Sequence, residues 1–245
     1  MYILGFETTG ARGSVALCNL ETREIGEKST EEPMGHLRNI TELASQLLRE
    51  RGVEPSDLSG VAVSVGPGSY TGIRIGVSSA RAVAQALNIS CFAVPSLEMF
   101  REKCDGKSGC AVIVNARRGQ VYGAVYGSHG EEILAPGAYM LDDVTSAVDG
   151  IRGIRGNGVH SGTDDGITFY GDGVTAYLKD ERFAHLLRGR KFASERELLP
   201  TAGMVVRYAI GMRERGEECD FRDLQPDYMR ETEAEQKLKI GRAHV

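Results

Sequence analysis

The sequence predicts an α/β protein built from two lobes, each of which opens with a β-hairpin. The first hairpin joins strands at 2–6 and 14–19 through a turn at 7–13, and the second joins strands at 111–114 and 121–126 through a turn at 115–119. Helical segments with apolar residues at three- and four-residue spacing follow the hairpins. Periodicity alone therefore indicates an α/β fold with a weak duplication.

In the first lobe, the hairpin and a polar stretch precede a helix over about 33–51, which Gly52 ends. A short buried strand at 61–65 leads into a glycine-rich loop at 66–70. The next helix covers 71–87 and closes at Asn88, and a strand at 91–94 follows. Pro95 and Ser96 then signal the start of a short helix.

In the second lobe, the hairpin is followed by a Gly-rich polar segment at 150–166, which is predicted to be a flexible insertion. A strand at 167–170 leads through Gly171 and Gly173 into a helix, and a final helix covers about 201–215. The predicted units are residues 1–100 and residues 101–238. Residues 239–245 follow no structural pattern, and 240–245 match the translation of a common sequencing adapter, so this tail is expected to lie outside the native fold.

Composition limits the classes of function. The chain has 245 residues, 41% of them hydrophobic, and a net charge of −5. No apolar run approaches the roughly 18 residues that span a bilayer, and the start shows no secretion signal, so a cytoplasmic protein without a membrane contact is expected. Proteins that hold RNA unaided carry a basic face, so this charge argues against autonomous RNA binding.

The five cysteines are odd in number and scattered, without a Cys-x-x-Cys pair. Neither a disulfide framework nor a zinc cage is predicted from this spacing, and buried or incidental thiols are the favoured interpretation. One alternative is that Cys104 and Cys110, which flank a Gly/Lys loop, meet in space.

The segment 65–76 (VGPGSYTGIRIG) carries the most information. A glycine-rich loop before a helix can bind an anion through free backbone N–H groups, but no Gly-Lys-Ser/Thr follows, as a P-loop would require. The favoured alternative is a tight turn that needs the positive φ of glycine, with Ser69 or Thr71 capping the helix. If a nucleotide does bind, its candidate contacts are Gly66, Gly68, Ser69, Thr71, Gly171 and Gly173.

The helix that follows carries a ridge of small residues four apart: Gly72, Gly76, Ala80 and Ala84. Glycine inside a helix costs about 0.8–1.0 kcal/mol relative to alanine, so close approach of another helix backbone is expected to compensate. That neighbour could be a partner subunit or the chain's own helix at 33–51, and the two interpretations have equal weight. Arg74 and Arg81 lie on a polar stripe, either as ion-pair donors to a partner or as solvated charges.

Candidates for catalysis are few. None of the five histidines stands in an i, i+4 pair, so a helical metal site is not predicted, and His36 is interpreted as a surface or interface residue. No Gly-x-Ser-x-Gly elbow surrounds Ser64, Ser69 or Ser96. Glu7 in the first hairpin is a weak candidate for organising metal-bound phosphates, and Asn115 in the second cannot act as a base.

The run 66–76 closely resembles the signature of the TsaB (YeaZ) family. Residues 3–9, His36 with Leu37, and the segments 94–98, 116–122 and 224–230 are also similar to that family, so the resemblance covers nearly the whole chain before the tail. It implies the two-lobed actin/Hsp70-like (ASKHA) fold with a reduced second lobe. It also implies a cytoplasmic, non-catalytic subunit without a cofactor or metal of its own.

The resemblance further implies partners and an interface. A TsaD-type catalytic homologue transfers the threonylcarbamoyl group to N6 of the adenosine next to the anticodon of tRNA, a TsaE-type ATPase joins the complex, and tRNA is met only through the complex. A homodimer is a further expectation. The contact is similar to a four-helix bundle, and its expected residues are His36, Leu37, Ile40, Leu47, Gly72, Arg74, Gly76, Ala80, Arg81 and Ala84.

Two positions depart from the family's pattern, since Glu7 and Asn115 stand where Asp is usual. Both departures weaken a nucleotide-hydrolysing role and leave the expected interface untouched. The alternative functions are an actin-like ATPase or sugar kinase, which would need acids in both hairpins, and a metallopeptidase, which would need the missing histidine pair.

Overall fold

The computed structural model describes residues 1–30, 36–155 and 166–229. It contains two five-stranded sheets. The first consists of β1 (Tyr2–Glu7), β2 (Ser14–Asn19), β3 (Ile25–Ser29), β4 (Leu58–Gly66) and β5 (Ser90–Pro95), in the order β3-β2-β1-β4-β5. The second consists of β6 (Gly109–Asn115), β7 (Gln120–Tyr126), β8 (Glu132–Met140), β9 (Ile167–Tyr170) and β10 (Lys191–Phe192), in the order β10-β9-β6-β7-β8.

The two sheets repeat one topology. In each, the first strand pairs antiparallel with the second and parallel with the fourth. The helices α1 (His36–Glu50) and α3 (Leu141–Arg155) follow the third strands, and α2 (Tyr70–Leu87) and α4 (Asp172–Leu178) follow the fourth strands. A duplicated unit of this kind is the actin/Hsp70-like fold, and the second copy is reduced because α4 has 7 residues against 18 in α2.

The last helix, α6 (Ala202–Glu214), packs against the first sheet rather than the second, where it contacts β1 and β2. Its Val206 lies so close to β1 that a Cβ on Gly5 would overlap it, and the Ala202 amide donates to Ser14 Oγ at 2.8 Å. One core cluster joins buried residues of α6 with residues of both sheets. The helix thus fills the space between the lobes, and the division into residues 1–100 and 101–238 remains a prediction.

The predicted hairpins, the strands β4, β5 and β9, and the helices α1, α2 and α6 are confirmed. The prediction missed β3, β8, α3 and β10, along with the short helix α5 (Ala184–Leu187). The interpretation of 150–166 as a flexible insertion is wrong for its first part, because α3 continues to Arg155. Residues 156–165 lie outside the described residues, as do 230–238 and the tail 239–245.

Candidate functional site

The glycine-rich loop between β4 and α2 forms several hydrogen bonds with other parts of the chain. The Ser69 amide donates to the Thr9 carbonyl at 2.9 Å, and the Gly66 amide donates to Ser96 Oγ at 3.2 Å. Ser69 caps α2, its hydroxyl accepting from the Gly72 amide at 3.3 Å. The prediction of a tight turn with a serine cap is therefore confirmed.

The glycines of the predicted nucleotide contacts have local reasons to be glycine. Gly66 has φ of 119°, and a Cβ there would overlap the Asp227 carbonyl. A Cβ on Gly68 would lie 2.6 Å from Thr9 Cβ. A Cβ on Gly171 or on Gly173 would overlap the Ile113 carbonyl oxygen. Close packing thus accounts for all four, and nucleotide binding at these positions and at Ser69 and Thr71 remains a prediction.

The small-residue ridge of α2 faces the chain's own first hairpin and first sheet. Gly72, Gly76, Ala80 and Ala84 are all buried. A Cβ on Gly72 would overlap the Thr8 carbonyl oxygen, and a Cβ on Gly76 would overlap Thr8 Oγ1 and lie 3.1 Å from Val63 Cγ2. The interpretation that the ridge packs on a partner is wrong for Gly72 and Gly76, since Thr8 and Val63 fill the space that these glycines leave. The interpretation that it packs on α1 remains a prediction for Ala80 and Ala84, which belong to one apolar cluster with buried residues of α1.

Two predicted interface residues of α1 are also part of the chain's own core. Ile40 is 4% exposed and Leu47 is 2% exposed, and both belong to the apolar cluster between α1, α2 and the first sheet. They stabilise the lobe from inside and offer no surface to a partner. The helix begins at His36, but the side chains of His36 and Leu37 lie outside the described part of the chain.

The opposite side of α2 is the surface that the lobe presents to solvent. We call it the outer face; its members are Thr71, Arg74, Ser78, Ala82, Gln85 and Ala86, which are exposed, and Ile75 and Ser79, which are half-buried. Four of these eight side chains are serine or alanine, and Ser78, Ala82 and Ala86 form a row of small residues along which a second helix could approach closely. This second row of small residues is visible in the sequence spacing, but the interface was predicted on the ridge, which the structure shows to be buried.

A segment after α6 packs along α2 and contacts one of the two predicted arginines. Arg81 Nη2 donates to the Leu224 carbonyl, and Tyr228 stacks on Tyr70 with ring centroids 4.7 Å apart. The Arg74 guanidinium carbon lies 5.0 Å from the centroid of the Tyr70 ring. Arg81 therefore links α2 to this segment, whereas Arg74 is exposed on the outer face.

The acidic residue of the first hairpin is buried. Glu7 is 0% exposed, its Oε1 accepts from the Thr9 amide and hydroxyl at 2.6 Å each, and Oε2 has no well-formed hydrogen bond. Burial raises the pKa of Glu7 above its usual value, because the hydrogen bonds from Ser64 and Thr9 only partly offset the lost hydration. The carboxyl group braces the turn through its hydrogen bonds to Thr9.

In the second hairpin, the polar residues likewise brace the turn. The backbone amide of Asn115 donates to Asp172 Oδ1 at 2.8 Å, and the side-chain Oδ1 of Asn115 accepts from the backbone amide of Arg117 at 2.8 Å. Burial raises the pKa of Asp172. Sequence reasoning missed Asp172 as the partner of this turn, since only the parallel pairing of β6 with β9 brings them together.

We expect Glu7→Gln to raise the free energy of unfolding at pH 7 by about 1 kcal/mol, because burying glutamine removes the cost of desolvating or protonating a carboxylate and keeps an acceptor for Thr9. A raised native pKa stabilises the fold below the pKa of the unfolded chain, and that stabilisation is lost as the pH rises through the native pKa. Urea unfolding of both proteins between pH 5 and pH 8 tests this, and the variant's advantage should shrink toward pH 5.

The exposed Glu21 provides the matched control, since Glu21→Gln should change the free energy of unfolding by no more than about 0.5 kcal/mol. A Glu7→Gln protein that is less stable than the parent at pH 7, or an advantage that grows toward pH 5, would contradict the assignment of Glu7 as a destabilising buried carboxyl group.

Across residues 1–30, 36–155 and 166–229, no group of three or more His, Cys, Asp or Glu side chains is arranged to hold a metal ion. The same ranges contain no helix whose length and apolar character would allow it to cross a membrane.

Comparison with known families gives a match over most of the chain. The model described as "TsaD: tRNA N6-adenosine threonylcarbamoyltransferase" matches residues 31–237. The "tRNA threonylcarbamoyladenosine biosynthesis protein TsaB" of Bacillus subtilis is 38% identical over 127 residues, which cover 51% of this chain and 55% of that protein. The Escherichia coli protein of the same name is 31% identical over 144 residues, 55% of this chain and 62% of that protein. The chain thus spans only part of the length of both relatives.

Among solved structures, an uncharacterized Pseudomonas aeruginosa protein described as similar to peptidase YeaZ superimposes with a TM-score of 0.72. It is 22% identical, and the superposition covers 94% of this chain and 99% of that one. This likeness shows that the fold is shared over nearly the entire chain.

Proposed function

The chain belongs to the family that the TsaD model describes and, within it, to the TsaB (YeaZ) group, and we propose that it is the non-catalytic partner subunit in threonylcarbamoyladenosine synthesis on tRNA. In this role it binds and activates a TsaD-type homologue, which transfers the threonylcarbamoyl group to N6 of the adenosine next to the anticodon. The names of the relatives and the length of chain that the family model matches support this reaction as the setting.

The observation that carries the proposal is the outer face of α2. Ser78, Ala82 and Ala86 form an exposed row four residues apart on an 18-residue helix, with Ile75 and Ser79 beside them. Close approach of helices requires such small side chains, and a solitary chain has no evident need for them on its solvent side. We propose this face, in place of the buried ridge, as the docking surface for the TsaD-type subunit.

The hydrogen bonds of the polar side chains in the two hairpins support the proposal that this subunit is non-catalytic. An actin-like ATPase or kinase needs carboxylates free to organise metal-bound phosphates in both hairpins. Here Glu7 is buried against Thr9, and Asn115 and Asp172 are hydrogen-bonded to each other. Nucleotide turnover by this chain is therefore the weaker alternative, and a metallopeptidase is weaker still.

The remaining partners follow from the same proposal. A TsaE-type ATPase joins through the complex, and a homodimer would use the same outer face and compete with the TsaD-type subunit. The net charge of −5 supports contact with tRNA only through the complex, because an unaided RNA binder needs a basic surface.

Reconstitution tests the proposal directly. Threonylcarbamoyl transfer to tRNA is measured in three mixtures, each supplied with threonylcarbamoyl-adenylate and a TsaE-type ATPase. The first contains this protein without a TsaD-type subunit, the second contains the TsaD-type subunit without this protein, and the third contains both. Product is expected only when this protein and the catalytic subunit are both present. Product from this protein alone would make it a catalytic subunit, and an unchanged rate with a competent partner would overturn the accessory role.

A further inference from the structure

Two of the five thiols meet at the junction between the sheets. Cys104 follows the 3₁₀ helix Glu98–Lys103, which connects β5 to the second sheet, and Cys110 lies in β6. Their sulfur atoms are 3.7 Å apart, and the Cys110 thiol also donates to the Phe100 carbonyl at 3.3 Å. The alternative that these residues meet in space is therefore confirmed.

The two thiols differ in exposure and acidity. Cys104 is half-buried, and the neighbouring Cys110 thiol and backbone amide lower the pKa of Cys104 below its usual value. Cys110 is 0% exposed, and its proximity to Cys104 together with its burial raises the pKa of Cys110. A thiolate therefore forms first on Cys104, where solvent can reach it, with the second thiol in contact behind it.

A second pair of neighbouring cysteines differs from the first in the acidity of its thiols. Cys91 and Cys219 face each other across an antiparallel bridge, with N–H···O distances of 2.8 and 2.9 Å in the two directions. Burial raises the pKa of Cys91 to about 12 and also raises the pKa of Cys219. Neither sulfur is activated as a nucleophile, and Cys91 is 0% exposed.

We propose that Cys104 and Cys110 form a thiol modification site, in which Cys104 is the group attacked by a peroxide and Cys110 resolves the product into an intrachain disulfide. The Cys104 thiolate attacks one oxygen of hydrogen peroxide, the O–O bond breaks, and sulfenic acid and hydroxide result. The Cys110 thiol then attacks the Cys104 sulfur, an S–S bond forms, and the sulfenic oxygen leaves as water. The cysteine pair loses two electrons, and the peroxide gains them.

The geometry requires only a small adjustment. A disulfide has an S–S distance of about 2.05 Å, so the sulfurs must approach by about 1.7 Å from their present 3.7 Å. Cys104 follows a short helix and precedes the exposed loop 105–107. Because this loop is exposed, a shift of its backbone would disturb few packing contacts. The bond would tie the connection between the sheets to β6, so the modified chain would carry a covalent clamp at its interlobe junction.

Peptide mapping of the native protein after treatment with hydrogen peroxide tests the proposal. Trypsin cleaves after Lys103, Lys107 and Arg117, so the modified chain should yield peptides 104–107 and 108–117 joined by a disulfide. Before oxidation, iodoacetamide should alkylate Cys104 at least about tenfold faster than Cys91. Dithiothreitol should separate the joined peptides.

Variants divide the two roles. Cys104→Ser should abolish the joined peptides, and Cys110→Ala should leave a sulfenic acid on Cys104 that dimedone traps. Cys91→Ser is the matched control and should oxidise at 104–110 as the parent does. A free Cys104 in the peroxide-treated native parent, or a linkage between Cys91 and Cys219 that forms first, would overturn the proposal, which stands independently of the proposed function.

Discussion

Replacing Gly72 with alanine is expected to lower the free energy of unfolding by about 3 kcal/mol. Alanine normally stabilises a helix relative to glycine by about 0.8–1.0 kcal/mol, so the sign of the effect identifies the contact. A Cβ at this position would overlap the Thr8 carbonyl oxygen, and the Thr8 hydroxyl also donates to the Gly72 carbonyl at 2.7 Å. The turn or the helix must therefore move to admit the methyl group. Since the total free energy of unfolding of a protein is about 5–15 kcal/mol, the loss would be a large fraction of it.

Chemical denaturation of the variant measures this loss, and Ser78→Ala on the exposed side of the same helix is the control. That change should stay within about 0.5 kcal/mol of the parent, because Ser78 touches solvent. A Gly72→Ala protein as stable as the parent would mean that α2 stands further from the first hairpin than described. The ridge would then again be a candidate contact surface for a partner subunit.

Replacing Ala82 with arginine is expected to weaken binding to a TsaD-type subunit by at least about 100-fold, or about 2.7 kcal/mol, without unfolding the chain. Ala82 lies at the centre of the outer face, between Ser78 and Ala86, and its side chain is exposed. An arginine there would hold a partner helix away and place a charge in a desolvated contact. Titration calorimetry and gel filtration with the catalytic subunit measure the effect.

Ala138→Arg is the matched control, since Ala138 is also an exposed alanine but lies on β8, at the edge of the second sheet. It should bind the partner as the parent does. Equal binding by the Ala82→Arg protein would move the interface away from α2, and equal loss in both variants would point to a general effect of added charge.

The outer face was open to prediction from the sequence, and the ridge shows why the wrong face was chosen. Four-residue spacing of Gly72, Gly76, Ala80 and Ala84 shows that something approaches closely, but helix backbone and strand backbone make the same demand on side-chain size. Only the register of α2 over Thr8 and Val63 decides between them, and no local pattern encodes it.

The missed strands have a different cause. The strands β3 and β8 are edge strands, and only one residue of β3 is buried, so neither shows the alternation that marks a half-buried strand. Pro136 within β8 argues against a strand unless that strand lies at an edge, where the missing N–H is harmless. By contrast, the serine cap and the hairpins depend on neighbouring residues and could be predicted.

The return of α6 to the first sheet has a consequence for synthesis of the protein. The strands of that sheet end at Pro95, whereas the helix that covers their inner side begins at Ala202, more than a hundred residues later. At about 5–20 residues per second a ribosome needs several to about twenty seconds to add that stretch. During this interval Ile3, Ala16 and Phe92 lack the cover that α6 later provides, so the nascent chain presents an apolar surface that chaperones could recognise.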